Sequence, residues 1–202
     1  MYNKLVIGID QSYARCGISI SVDGELKVVS FLSFHQLQSK SSIRIQISEV
    51  VEKIILKNKD KAKEIMIVVE RIRTFTGPKG SLRPDYIKTT AALIASIVDT
   101  AYLHDINVYS VTTKSWKSHV LGTSTIPERH KKEIKPEKML AVEFIKAKGF
   151  DVYDRDDKGN IKKSVRGKNK GQTKYNDDAC DSGCISLYPF IPIKKQNLQK
   201  EE

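Results

Sequence analysis

The 202-residue chain predicts a single α/β domain. Three observations carry that reading. Short β-branched runs recur along the chain, segments with helical periodicity lie between and after them, and this length can bury roughly 70% of the unfolded surface.

The elements follow in order. LVIGID reads as a buried strand over residues 3–10, and QSYARCG turns into a second strand, ISISV, over 15–22. VDGE then turns the chain into a third strand over 25–34. In IRIQISEVVEKIILKNK, Ile43, Ile47, Val50, Val51, Ile54 and Ile55 recur at helical spacing, with Ser41 or Ser42 as the cap. IMIVVE returns as a fourth strand that ends on Glu70. The next stretch, RIRTFTGPKGSLR, carries Arg71, Arg73, Lys79 and Arg83, two glycines and no acid, and reads as an exposed loop.

Pro84 and Asp85 open a helix over 85–104 that is apolar around most of its circumference. Such a helix needs cover on two sides. The sheet supplies one, and either a second subunit or full internal burial supplies the other. INVYSV is a fifth strand, TKSWKSHVLG a short helix, EKMLAVEFIKAKG a longer one and DDACDSGCISLY the last. The domain therefore spans 1–190, with a basic insertion near 151–175 and a polar C-terminal tail over 191–202.

Composition narrows the function classes. There is no 18-residue apolar run and no signal-peptide pattern, so a soluble, cytoplasmic protein is expected. Cys16, Cys180 and Cys184 form no CxxC and leave one thiol unpaired, against a disulfide framework or a zinc ribbon. Cys180 and Cys184, one helical turn apart, read as small core residues.

The net charge of +11 is concentrated. Residues 114–148 hold nine Lys or Arg against four acids, and residues 155–174 hold eight against two, while the remainder balances at 18 of each sign. Excess positive charge confined to two stretches that lead toward a carboxylate cluster suits a polyanion held beside a metal, and nucleic acid is the expected partner. The second stretch, poor in apolar residues and rich in Gly and Lys, also fits a flexible charged insertion.

The carboxylates carry the chemistry. Asp10 and Glu70 each close an apolar strand, and in NDDACDSG the acids at 178 and 181 share one helical face. Asp177, four before Asp181, faces the same way, so spacing leaves 177 and 178 open. Acids at the ends of buried strands repel one another and lose hydration unless a cation neutralises them. Mg²⁺ suits such a set because it takes hard oxygen ligands and binds together with substrate phosphate, and Mn²⁺ can substitute. As ordinary strand ends and a helix N-terminus, the same residues would need no metal.

GIDQSYARCG, VVER and DACD, in that order, resemble the RuvC family of Holliday junction resolvases, within the RNase H-like superfamily. The likeness runs from about residue 4 to 188. It implies a mixed five-stranded sheet flanked by helices and a homodimer, here through helix 85–104, that nicks two strands of a four-way junction symmetrically. The ends left would be 5′-phosphate and 3′-hydroxyl. By motif, Asp10, Glu70, Asp178 and Asp181 look like the catalytic metal-binding acids, with 178 favoured over 177. KSWKSHVLG is similar to the stretch that carries a DNA-contacting lysine, which points to Lys117. A second family lysine best matches Lys138, with Lys131, Lys132 and Lys135 as competitors; Lys114 adds to the expected DNA-contacting set.

The chain also departs from the family. Where members often carry a junction-wedging aromatic after the strand-four glutamate, this chain has Arg73, with Phe75 nearby either to stack on a base or to anchor its loop. The 151–175 segment is longer than the family pattern, which suggests a phage or mobile-element enzyme in a bacterial setting. The expected mechanism is two-metal hydrolysis with Lys117 or Lys138 stabilising phosphate charge. Two rivals remain: a broader fork and flap endonuclease, and a non-catalytic branched-DNA binder.

Overall fold

A sheet pairs its strands according to which faces can be covered, and here both faces are apolar along the central strand. A computed structural model describes residues 1–72, 84–133, 135–165 and 170–191. Five strands, β1 (Tyr2–Asp10), β2 (Arg15–Val22), β3 (Glu25–Ser33), β4 (Ala62–Glu70) and β5 (Asn107–Val111), form one sheet in the order β3-β2-β1-β4-β5. β1 runs antiparallel to β2 and parallel to β4, and β4 runs parallel to β5. The mixed sheet is thus the one expected, and its parallel half brings the C-terminal ends of β1 and β4 side by side, with Ile9 opposite Val69.

Side chains alternate across the sheet. Leu5, Ile7 and Ile9 of β1 face α1 (Lys40–Asn58) and α2 (Pro84–Tyr102), packing with Ile43, Ile47, Val51 and Ile55 of α1 and Leu93, Ile97 and Ala101 of α2. Val6, Met66 and Val68 face the opposite layer of α3 (Thr113–Val120), α4 (Met139–Ala147) and α5 (Asp177–Leu187).

Two glycines set how closely α5 lies on the sheet. A Cβ at Gly8 would stand 2.3 Å from the Ser182 carbonyl oxygen, and one at Gly17 2.0 Å from that of Asp178. No larger residue fits at either position without moving backbone. The serines between them are correspondingly small and paired, Ser19 with Ser182 at 2.7 Å and Ser21 with Ser186 at 2.6 Å between hydroxyl oxygens.

Three expectations change. The α1 cap is Ser39, whose hydroxyl accepts from the Ser42 amide at 3.1 Å, because the helix starts ahead of its first buried residue. α2 is not internal: Leu93, Ile97 and Ala101 are buried while Tyr86, Val98 and Tyr102 are exposed, so its apolar circumference exceeds what the sheet and α1 cover. The described residues of the 151–175 excursion pair through their backbone: Tyr153 bridges Tyr175, Arg155 bridges Ile161 and Lys163 bridges Thr173, all antiparallel. The three cysteines are free and buried, as expected of core residues.

Candidate active site

The parallel pairing of β1 and β4 delivers Asp10 and Glu70 to one edge of the sheet, and the tight seat of α5 brings Asp178 and Asp181 over it. Gln11 ties the two strand ends together. Its side-chain oxygen accepts from the Glu70 amide at 3.2 Å and its side-chain nitrogen donates to the Glu70 carbonyl. The Glu70 carboxylate is oriented from α3: the Thr113 hydroxyl donates to one oxygen and the Trp116 indole to the other at 3.2 Å. A carboxylate held at both oxygens has a defined direction, which a ligand to a hard cation needs.

Asp181 is fully buried. Its Oδ2 accepts from the Lys138 ammonium, while its Oδ1 has no hydrogen-bond partner among the described residues. Lys138 also lies 3.8 Å from Asp10 Oδ2. Burial first, and then the repulsion of Asp181, pushes the Asp10 carboxyl well up; Glu70 and Asp178 add to the repulsion and Lys138 opposes it. Asp181 is pushed up to about 6, again chiefly by burial, with Lys138 pulling the other way. Asp178 is raised by burial and by its neighbour Asp177. Burial works against the Lys138 charge, yet Asp181 and Asp10 outweigh it and push the ammonium upward.

The acids therefore feel one another, and Lys138 offsets Asp10, Asp178 and Asp181, with Lys117 also acting on Asp181 and Lys135 and Arg15 on Asp178. Among the described residues no three His, Cys, Asp or Glu side chains already close on one point as a finished ligand shell. Lys138 stands at the position where positive charge is wanted. The unpartnered buried oxygen of Asp181 and the all-carboxylate donor set fit a hard divalent cation.

The remaining predicted residues fall in different places. Asp177 pairs with Lys135, 2.7 Å from its ammonium, whereas Asp178 is held 3.5 Å from Arg15 Nε and acts on Asp10. Lys117, expected at the DNA, is buried: its ammonium donates to the Glu137 carbonyl behind the acids and lies 5.4 Å from the Trp116 ring centroid. Lys114, Lys131, Lys132 and Arg71 are exposed. Arg73, Phe75, Lys79 and Arg83 lie outside the described residues.

Sequence reasoning missed Gln11, Thr113, Trp116 and Arg15. Arg15 donates to Asp154 at 3.1 Å and to Asn176 at 2.7 Å, stapling the 151–175 excursion to β2 beside Asp178. Nothing next to it in the chain marked it, since Asp154 and Asn176 lie 139 and 161 residues on.

No family model and no curated protein matches the chain. Solved structures do match, over nearly its whole length. The Thermus thermophilus RuvC structure is 14% identical with a TM-score of 0.54, covering 91% of this chain and 92% of that one. The T. thermophilus RuvC in complex with a Holliday junction substrate is 9% identical with a TM-score of 0.55, covering 92% of each. The yeast mitochondrial Holliday junction resolvase Ydc2 is 14% identical with a TM-score of 0.51, covering 90% of this chain and 75% of that one. The chain thus has an RNase H-like fold. Within that class its architecture is similar to that of the two RuvC structures and Ydc2.

Proposed function

We propose that this protein is a divalent-metal-dependent endonuclease that resolves four-way DNA junctions by paired nicks leaving 5′-phosphate and 3′-hydroxyl ends. The observation that carries the reading is the fully buried Asp181, with one oxygen unpartnered, facing the strand-end acid Asp10 across Lys138. Burying that much negative charge is costly unless a cation is shared among the acids. The fold of two resolvases, one of them solved on a junction, supports the same reading.

Asp10, Glu70, Asp178 and Asp181 would hold the metal, with Mg²⁺ the natural ion. When bound, such an ion neutralises the carboxylates, polarises the phosphodiester and makes water a competent nucleophile at neutral pH. Gln11 keeps the two strand ends in register, and Thr113 with Trp116 aims Glu70. Lys138, placed against Asp181 and 3.8 Å from Asp10, supplies an ammonium for charge building on the phosphate. Exposed Lys114, Lys131, Lys132 and Arg71 serve the flanking phosphates, which set affinity without reading sequence. Lys117 acts from behind the site on Asp181.

The deciding experiment is digestion of junction, fork, flap and duplex substrates in Mg²⁺. Wild type should cut the junction fastest, and Asp10→Asn should lose at least about 10³-fold in rate while still binding it. Wild-type cutting by Asp10→Asn removes the assignment. Equal cutting of forks and flaps would instead make it a general branched-DNA nuclease.

Two equivalent strands of a junction call for two equivalent sites, hence a two-fold dimer. Val98 and Tyr102, one turn apart on α2, are exposed apolar side chains suited to that contact. Sedimentation at micromolar concentration should give a dimer that Val98→Glu converts to monomer.

A further inference from the structure

We propose that the cavity walled by the 151–175 excursion receives a single unstacked nucleobase beside the cut phosphate and gives the enzyme a base preference. The inference rests on the nuclease reading above and adds a binding site to it.

The cavity measures about 200 Å³. That is smaller than the ~300–1,000 Å³ typical of sites for drug-sized ligands, and suits one flat heterocycle. Its floor is apolar, built from Met139 and Val142, with Tyr175 on the wall. The Tyr175 ring stacks on Tyr153 with centroids 5.7 Å apart, so it is braced from behind. Glu133 and Thr173 add a carboxylate and a hydroxyl that can meet the hydrogen-bonding edge of a base.

The charges do not call for a phosphate: Arg15, Lys135, Lys138 and Lys174 line the cavity against Glu133, Asp154 and Asp177, and the first three of those cations are already paired with acids. Arg15 is engaged by Asp154 at 3.1 Å and Lys135 by Asp177 at 2.7 Å. Together with Glu133 these acids would face an incoming anion. A neutral ring with apolar faces and a polar edge meets no such opposition.

Position links the cavity to the chemistry. Lys138 lines it and also contacts Asp181 and approaches Asp10, so a nucleotide whose phosphate sits at Lys138 has its base at the cavity mouth. The wall is pre-formed rather than loose. The Asp154 amide donates to the Lys174 carbonyl at 3.1 Å, the Lys174 amide to the Lys162 carbonyl at 3.0 Å and the Asn176 amide to the Val152 carbonyl at 2.8 Å. Enzymes that do chemistry on a base read it extruded into a fitted pocket, at the cost of unstacking it, and a cavity of this size can hold a base in the same way. A branch point, where stacking is already broken, lowers that cost.

The test uses junctions that differ only in the nucleotide next to the cut, each also made with 2-aminopurine at that position. In EDTA, full-length wild type should brighten the 2-aminopurine severalfold on binding, and in Mg²⁺ it should prefer one base by about tenfold or more. Thr173→Trp fills the cavity from its half-buried rim and should abolish the brightening and reduce the preference to below about threefold. Tyr175→Ser removes the stacking face without filling the space and should also lose the brightening; unfolding midpoints establish that both variants are folded. Equal cutting of all four bases by wild type, or brightening that persists in both folded variants, overturns the cavity and leaves the nuclease reading standing. Wild type that cuts no branched DNA overturns both.

Discussion

The two faces of the sheet are closed in opposite ways. Toward α1 and α2 the strands present Leu5, Ile7 and Ile9 against isoleucine, leucine and valine, with no buried acid in the contact. Toward α5 the same strand presents Gly8, and β2 presents Gly17, Ser19 and Ser21, so that helix backbone rather than side chain meets the sheet. The first face obtains its stability from apolar area, which tolerates small adjustments of side chains. The second keeps Val6, Met66 and Val68 as apolar contacts but gives up side-chain area under α5 itself, which fixes how closely that helix, with Asp178 and Asp181, lies over the sheet. Burial of Asp181 is a stability cost carried by the rest of the core.

The contrast predicts that mutations on the two faces separate stability from activity. The largest effect belongs to Gly8→Ala. The new methyl meets the Ser182 carbonyl and the Ser186 amide at 2.3 and 2.4 Å, both backbone, so α5 must lift. About 3 kcal/mol of stability and about 100-fold in nicking rate should be lost together, measured by denaturant unfolding and a single-turnover assay. Unchanged nicking in folded Gly8→Ala would mean the height of α5 does not matter.

Val51→Ala on α1 removes buried methyl groups from the other face. It should cost about 2 kcal/mol, with the nicking rate of the folded protein unchanged. A comparable loss of rate would erase the distinction between the faces.

The smallest effect comes from the serine ladder. Ser21→Ala leaves the Ser186 hydroxyl donating to the Gly183 carbonyl at 2.8 Å, so about 1 kcal/mol is expected. Adding Ser186→Ala should cost less than a second independent loss, because the two hydroxyls bond each other; a double-mutant cycle reads the coupling.

The legible parts of the molecule were those with a local period. The β1 and β4 runs declare themselves by continuous β-branched burial, and the acids that close them are visible as the first polar residues after it. The 177 to 181 cluster was equally visible, but its phase was not. Asp177 and Asp178 share a face with Asp181 by spacing, and they part only in the folded protein, where Asp178 lies beside Arg15 with its backbone against Gly17 and Asp177 pairs with Lys135. Lys138 was the best match by motif, but Lys131, Lys132 and Lys135 stayed as competitors on the chain alone. It is distinguished by standing against Asp181, 43 residues away. Gln11 was passed over for a similar reason, since its two partners belong to a strand 59 residues on.

The amino-acid sequence alone determined which segments become strands and helices, which residues face inward and which carboxylates end up desolvated, because periodicity and composition act within a few residues of the chain. The tertiary structure decided which helix those buried faces meet, at what distance, and which single lysine enters the acid cluster. Those outcomes depend on steric fit between surfaces far apart in the chain, above all the absence of a Cβ at Gly8 and Gly17, and a side chain's absence acquires meaning only when its partner lies against it.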